Sequence, residues 1–121
     1  MKQRFSLAAL LFAASTLALG QCECPPISER PNIQVEDNGL GVGTDTWTCQ
    51  NNYILSGYAF VQANQVLTIE AGTVVKGAAG SGADAAAMIV AKGGQLFAEG
   101  TADCPIIFTF EGDPLDGSVS Y

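Results

Sequence analysis

The chain has 121 residues, four cysteines, no histidine and a formal net charge of −7, which bounds it to one domain. Lacking histidine, it cannot carry Ser-His-Asp or Cys-His machinery, and it lacks the commonest zinc ligand. Its acidic balance repels phosphate backbones and anionic membranes, so nucleic-acid binding is not expected.

Met1–Gly20 reads as a secretory signal peptide: Lys2 and Arg4 open it, Phe5–Leu19 is apolar, and Ala18-Leu19-Gly20 is a small-x-small cleavage site. The apolar run falls short of the roughly 20 residues of a membrane-crossing helix, so no span is expected after removal of the signal. A lipobox needs a small residue before its cysteine. Gln21 precedes Cys22, so plain cleavage before Gln21 is the reading. Cleavage removes Lys2 and Arg4. Arg30, Lys76 and Lys92 then face all twelve acids, a balance of −9. Cations and basic partners suit such a surface.

Gln21–Asn38 is polar and carries Pro25, Pro26 and Pro31, which disfavour helix and central strand alike. With the glycine-rich Gly39–Thr44 it makes residues 21–46 an irregular linker or N-terminal cap. From Trp47 to Tyr121 the chain reads as β. Strands are expected around Tyr53–Leu55, Tyr58–Val61, Val66–Ile69, Thr73–Lys76, Met88–Ala91, Gln95–Ala98 and Pro105–Phe110. These short runs hold β-branched and aromatic residues and are punctuated by Gly and Asn. Ala83–Met88 has helix propensity, and a short helical turn there is possible before the Met88 strand.

All four cysteines follow the cleavage point, which in an exported chain suggests disulfides, with three connectivities open. Cys22 and Cys24 are too close for a comfortable mutual bridge. Cys49–Cys104 is the preferred pair, since each stands beside a strand-like run, and its loop would contribute about 4 kcal/mol on the chain-entropy model.

Residues 67–77 (LTIEAGTVVKG) laid over 89–99 align apolar on apolar and Gly72 on Gly94, an offset of 22. A period in the low twenties with short strands and tight turns is what a parallel β-solenoid requires. Leu67, Ile69 and Val74 are then expected to point inward, Gly72 to turn the corner, and Glu70 and Lys76 to face solvent. Glu70 and Lys92 would come side by side.

The stretches YILSGYAFVQANQVLTIEAGTVVKG, AAAMIVAKGGQLFAEGTADCPIIFTF and EGDPLDGS resemble the N-terminal part of a family of secreted bacterial right-handed parallel β-helix proteins, found largely in Bacteroidetes and other Gram-negative bacteria. The likeness runs from Trp47 to Ser118. It implies an all-β right-handed parallel β-helix of about two coils, export to the periplasm, cell surface or medium, and no catalytic residues to carry over. Family members are longer, so the chain's stop at Tyr121 reads as a truncated product or fragment. The rival is a small domain whose exposed edge pairs with further β-helix coils or another chain.

Three candidate sites remain. Glu111, Asp113 and Asp116 crowd one loop and could offer oxygen ligands to calcium, or form a solvated acidic turn. Glu70 and Glu99 could be imagined as the carboxylate pair of a glycoside hydrolase. Trp47, Tyr53 and Tyr58 could stack on sugar rings or pack the core. The leading functional reading is an exported structural or binding module, without catalysis in this segment, whose stiff surface contacts a glycan or cell-surface component. The alternative is the N-terminal portion of a β-helix polysaccharide-active enzyme.

Overall fold

The computed structural model describes residues 22–119; the signal-peptide reading of residues 1–20 lies outside them. Nine strands follow in order: β1 (Asn32–Glu36), β2 (Asp45–Trp47), β3 (Asn52–Ser56), β4 (Tyr58–Val61), β5 (Val66–Ile69), β6 (Val74–Gly77), β7 (Ala87–Val90), β8 (Gln95–Ala98) and β9 (Ile107–Phe110). They form three sheets, β1-β3-β6-β9, β2-β5-β8 and β4-β7, and every pairing is parallel. From β3 onward consecutive strands occupy different sheets, so the chain winds and each coil stacks on the one before. This is a parallel β-helix.

Alternation along each strand fills its interior. Trp47, Tyr53, Leu55, Ala59, Val61, Leu67, Ile69 and Val75 form one buried cluster. Met88, Leu96 and Ile106 pack against it only half-covered. Leu67 and Ile69 thus point inward as their alternation predicts. Val74 is buried too but stands outside this cluster, because its neighbour Val75 takes the inward position. Val74 shares the outer column of Asn52, whose side-chain amide donates to Ile27 O at 3.0 Å. The N-terminal segment therefore lies over that face.

The strands fall where the residues predict, but their register does not. Leu67 pairs with Leu96, an offset of 29, and Ile89 pairs with Phe60 instead. The offset of 22 is real one coil earlier, where Asp45 meets Leu67 and Asn52 meets Val74. Nine residues, 78–86, join β6 to β7 where Ser56 and Gly57 suffice in the preceding coil, and the coil grows by seven. The longer connection after β8 adds four more, so Val74 meets Ile107 at an offset of 33. A 3-10 turn at Gly82–Asp84 sits in the first insertion and overlaps the expected Ala83–Met88 turn only at Ala83 and Asp84; Ala87 and Met88 already belong to β7.

The segment read as irregular contributes a strand of its own. β1 pairs with β3 over its whole length, from Asn32↔Asn52 to Glu36↔Ser56. Pro31 immediately precedes it, on an edge where its missing N–H costs no ladder bond. Two coils, β3-β4-β5 and β6-β7-β8, carry a strand in every sheet, in keeping with the expected number of about two; β1 and β2 add a partial rung before them and β9 one after.

Candidate functional site

The corner between the β2-β5-β8 and β1-β3-β6-β9 sheets repeats in each coil. Cys49 occupies it after β2, Ala71-Gly72 after β5, and Cys104 after β8. The N-terminal segment is tied along this corner by disulfides Cys24–Cys49 and Cys22–Cys104, each with Cα atoms 5.5 Å apart. The expected Cys49–Cys104 pair does not form. Those residues stand two coils apart with Gly72 between, and two rungs of roughly 4.8 Å exceed the reach of about 7 Å that a disulfide allows.

Arg30 completes the strap. Its Nε donates to Pro25 O at 2.8 Å and its Nη1 to Gly72 O at 2.9 Å. Burial draws its pKa below the ordinary guanidinium value. Gly72 has φ +83°, and a Cβ there would lie 2.6 Å from Cys24 Sγ and 3.2 Å from Cys22 Sγ. The glycine both turns the corner and leaves room for the disulfides.

The three acids of the last loop do separate jobs. Asp113 is buried, and its carboxylate accepts from Thr109 Oγ1 and from Leu115 N. Its carbonyl accepts from Lys76 Nζ at 3.0 Å, which makes Lys76 a half-buried tether rather than a solvent-facing charge. Asp116 is exposed and accepts from Ser118 N at 2.8 Å; hydrogen bonds from the Ser118 side chain and backbone lower its pKa. Glu111 is exposed. Among the described residues no three His, Cys, Asp or Glu side chains gather as a metal centre requires.

The aromatic trio also divides. Trp47 and Tyr53 stack in the core with ring centroids 4.5 Å apart and planes 8° from parallel. Tyr58 is exposed on the outer face of β4, its hydroxyl donating to Gly82 O at 3.2 Å.

The sequence reading missed the outer face of β5 and β8. Thr46, Thr68 and Phe97 form one outward column, since their neighbours Trp47 and Ile69 point inward. Phe97 is 49% exposed and shares a shallow groove with Thr68 and Glu99. Glu70 and Glu99 each follow the paired residues Ile69 and Ala98, so they stand on adjacent rungs on this same face. Glu70 is thus neighboured by Glu99 rather than by the expected Lys92. Parity carried the signal: in Leu67-Thr68-Ile69-Glu70 over Leu96-Phe97-Ala98-Glu99, an inward Leu96 forces Phe97 outward.

A larger open cleft runs between the 78–86 connection and β9. Small residues line it, with Thr109, Phe110 and Glu111 on its far wall.

Strand order, ladder and corner together define a parallel β-helix with its N-terminal segment disulfide-bonded along one edge. Residues 41–118, more than half of the chain, match the family model described as a pectate-lyase like beta helix domain, and the chain belongs to that family. No curated protein and no solved structure matches it. The disulfides point to an oxidising, non-cytoplasmic compartment. Among the described residues no helix is long and apolar enough to cross a membrane.

Proposed function

We propose that the protein is an exported binding module that holds a glycan of a cell surface or matrix against the outer face of β5 and β8. The observation that carries this reading is Phe97, a half-exposed aromatic on a stiff parallel sheet, flanked by Thr68 and Glu99 in one groove. An aromatic face packs against the C–H face of a sugar ring. Threonine hydroxyls and glutamate carboxylates satisfy sugar hydroxyls as donors and acceptors. With Glu70 and Glu99 beside it and an acidic chain behind it, this face favours neutral or amine-bearing sugars over polyuronates.

The test is affinity electrophoresis through gels containing a neutral polysaccharide, an aminoglycan or a polyuronate. Retardation by either of the first two, lost in Phe97→Ala and kept in Tyr58→Ala, supports the reading. Equal retardation of Phe97→Ala and the parent chain contradicts it.

A polysaccharide-active enzyme is the second reading. The observation favouring it is the placement of Glu70 and Glu99 on neighbouring rungs, where carboxylates can approach the roughly 5 Å separation of a retaining glycosidase pair. Release of reducing ends, abolished by both Glu70→Gln and Glu99→Gln, would establish it in place of simple binding.

A further inference from the structure

The four cysteines of the strap form one cluster rather than two separate bridges. Cys24–Cys49 fastens the strap to the corner that follows β2, and Cys22–Cys104 fastens it to the corner that follows β8. Gly72 stands between those corners, and both bridges crowd the place where its Cβ would stand, 2.6 Å from Cys24 Sγ and 3.2 Å from Cys22 Sγ. These two strap sulfurs are themselves 3.3 Å apart, so the bridges touch sulfur to sulfur. Only the exposed Glu23 separates Cys22 from Cys24 along the chain.

Thiol–disulfide exchange is the attack of a thiolate on a disulfide sulfur, and access governs its rate. Opening either bridge here leaves a thiolate already against a sulfur of the other. A nucleophile held against its target reacts far faster than the same group free in solution. The cluster is also open to reagents. Cys22, Cys24, Cys49 and Cys104 are each partly exposed, and Asp103 and Pro105, on either side of Cys104, are exposed. The Cys104 end of the longer bridge is therefore a point of entry for a reductant.

We propose that the four cysteines are a redox latch, in which one dithiol opens both fastenings of the N-terminal strap. In the first step a thiolate of the dithiol attacks Cys104 Sγ. The Cys22–Cys104 bond breaks, and its electron pair leaves on Cys22 Sγ. The second thiol of the reductant then displaces Cys104. The dithiol is oxidised to its own disulfide, and the bridge is reduced by two electrons. In the second step the Cys22 thiolate attacks Cys24 Sγ. A Cys22–Cys24 bond forms, the Cys24–Cys49 bond breaks, and the electron pair leaves on Cys49. This exchange moves no net electrons, and the two protons of the dithiol end on Cys104 and Cys49. The strap is then closed on itself, and both corners carry free thiols. Hydrogen bonds from Arg30 to Gly72 O and from Asn52 to Ile27 O remain between strap and coils. A Cys-x-Cys bridge closes a small ring, and strained disulfides are the labile ones, so attack by the Cys49 thiolate refastens the strap.

The test uses two forms of the full chain. In a Cys104→Ser variant, Cys22 is the sole thiol while Cys24–Cys49 is closed. With no reductant present, and at a dilution that gives no disulfide-linked dimer, N-ethylmaleimide should label Cys49 as well as Cys22, one label per molecule. Molecules labelled at Cys49 should carry a Cys22–Cys24 bridge. Cys49 labelling should exceed that of a Cys22→Ser/Cys104→Ser variant, which lacks the attacking thiol, roughly tenfold or more. In the second form, the oxidised parent chain receives one equivalent of dithiothreitol and is trapped with N-ethylmaleimide at mildly acidic pH. Molecules labelled together at Cys49 and Cys104, with Cys22 joined to Cys24, are expected by peptide mass mapping. Emission of the buried Trp47 reports that each species remains folded. Label confined to Cys22 in the variant, and to Cys22 and Cys104 in the parent chain, overturns the inference. So does label on Cys24 with a Cys22–Cys49 bridge, which would put the attack on the other sulfur.

Discussion

Replacing Gly72 by alanine separates two demands that the corner makes on one residue. The first is conformational: at φ +83°, an L-residue costs about 1–2 kcal/mol. The second is steric. The new Cβ would lie 2.6 Å from Cys24 Sγ, 3.2 Å from Cys22 Sγ and 3.4 Å from Cys49 Cβ. Forcing a methyl into such a packed site costs about 1–3 kcal/mol more. Gly57 supplies the control, since it has φ +73° and nothing within 4 Å of its would-be Cβ. Gly57→Ala should therefore show the conformational cost alone. Urea unfolding followed by emission of Trp47, the single tryptophan and a buried one, measures both variants. Gly72→Ala should exceed Gly57→Ala by about 1–3 kcal/mol, and the excess should shrink when Cys24 and Cys49 are both replaced by alanine. Equal costs for the two glycine variants would refute the reasoning that the strap crosses the corner at Gly72.

Three further outcomes follow from the same geometry. Leu67 is fully buried, so Leu67→Ala should lower the unfolding free energy by about 2–5 kcal/mol, while the exposed Glu70→Gln should stay within about 0.5 kcal/mol, both read by urea titration. Replacing Cys24 and Cys49 together by alanine should cost roughly 3–4 kcal/mol on the chain-entropy model for a loop of 25 residues. Hydrogen bonds from the Phe60, Gly41 and Gly39 N–H groups hold the Asp37 pKa below its ordinary value. A depressed carboxylate stabilises the fold above its unfolded pKa of about 3.9, and that contribution disappears as pH falls through the lower folded value. The Tm deficit of Asp37→Ala should accordingly be present at neutral pH and narrow toward pH 2; a constant deficit would contradict it.

Element type was legible in this sequence because each strand announces itself locally. Val66–Ile69, Gln95–Ala98 and their like alternate and end in turn residues, and all the expected strands are present. Register was not legible from a fixed period. The Gly-Ala-rich connection 78–86 changes coil length without altering the strand pattern, so LTIEAGTVVKG aligned as well with the wrong partner. Its stacking neighbours are Asp45–Trp47 and Asn52–Leu55 below and Gln95–Ala98 and Ile107–Phe110 above.

Cysteine pairing depended on that register, because only stacked corners show that Cys49 and Cys104 lie too far apart. β1 was hidden by Pro31 just before it and by its polar residues, which suit an edge strand as well as they suit a linker. Of the candidate site, Glu70 and Glu99 were visible as a pair without a reason to meet. Phe97 became visible once Leu96 was fixed inward over Leu67. Trp47 and Tyr53 were the more conspicuous aromatics, and their size sends them to the core.

The placement of the N-terminal segment along the β-helix corner is most directly tested by mapping the disulfides of the unreduced protein. Cleavage after Glu23 parts Cys22 from Cys24, so mass spectrometry of the linked peptides can tell every pairing apart. The geometry predicts one peptide pair joining Cys22 to Cys104 and another joining Cys24 to Cys49. A Cys49–Cys104 linkage would contradict it, since that bridge cannot span the coil that carries Gly72.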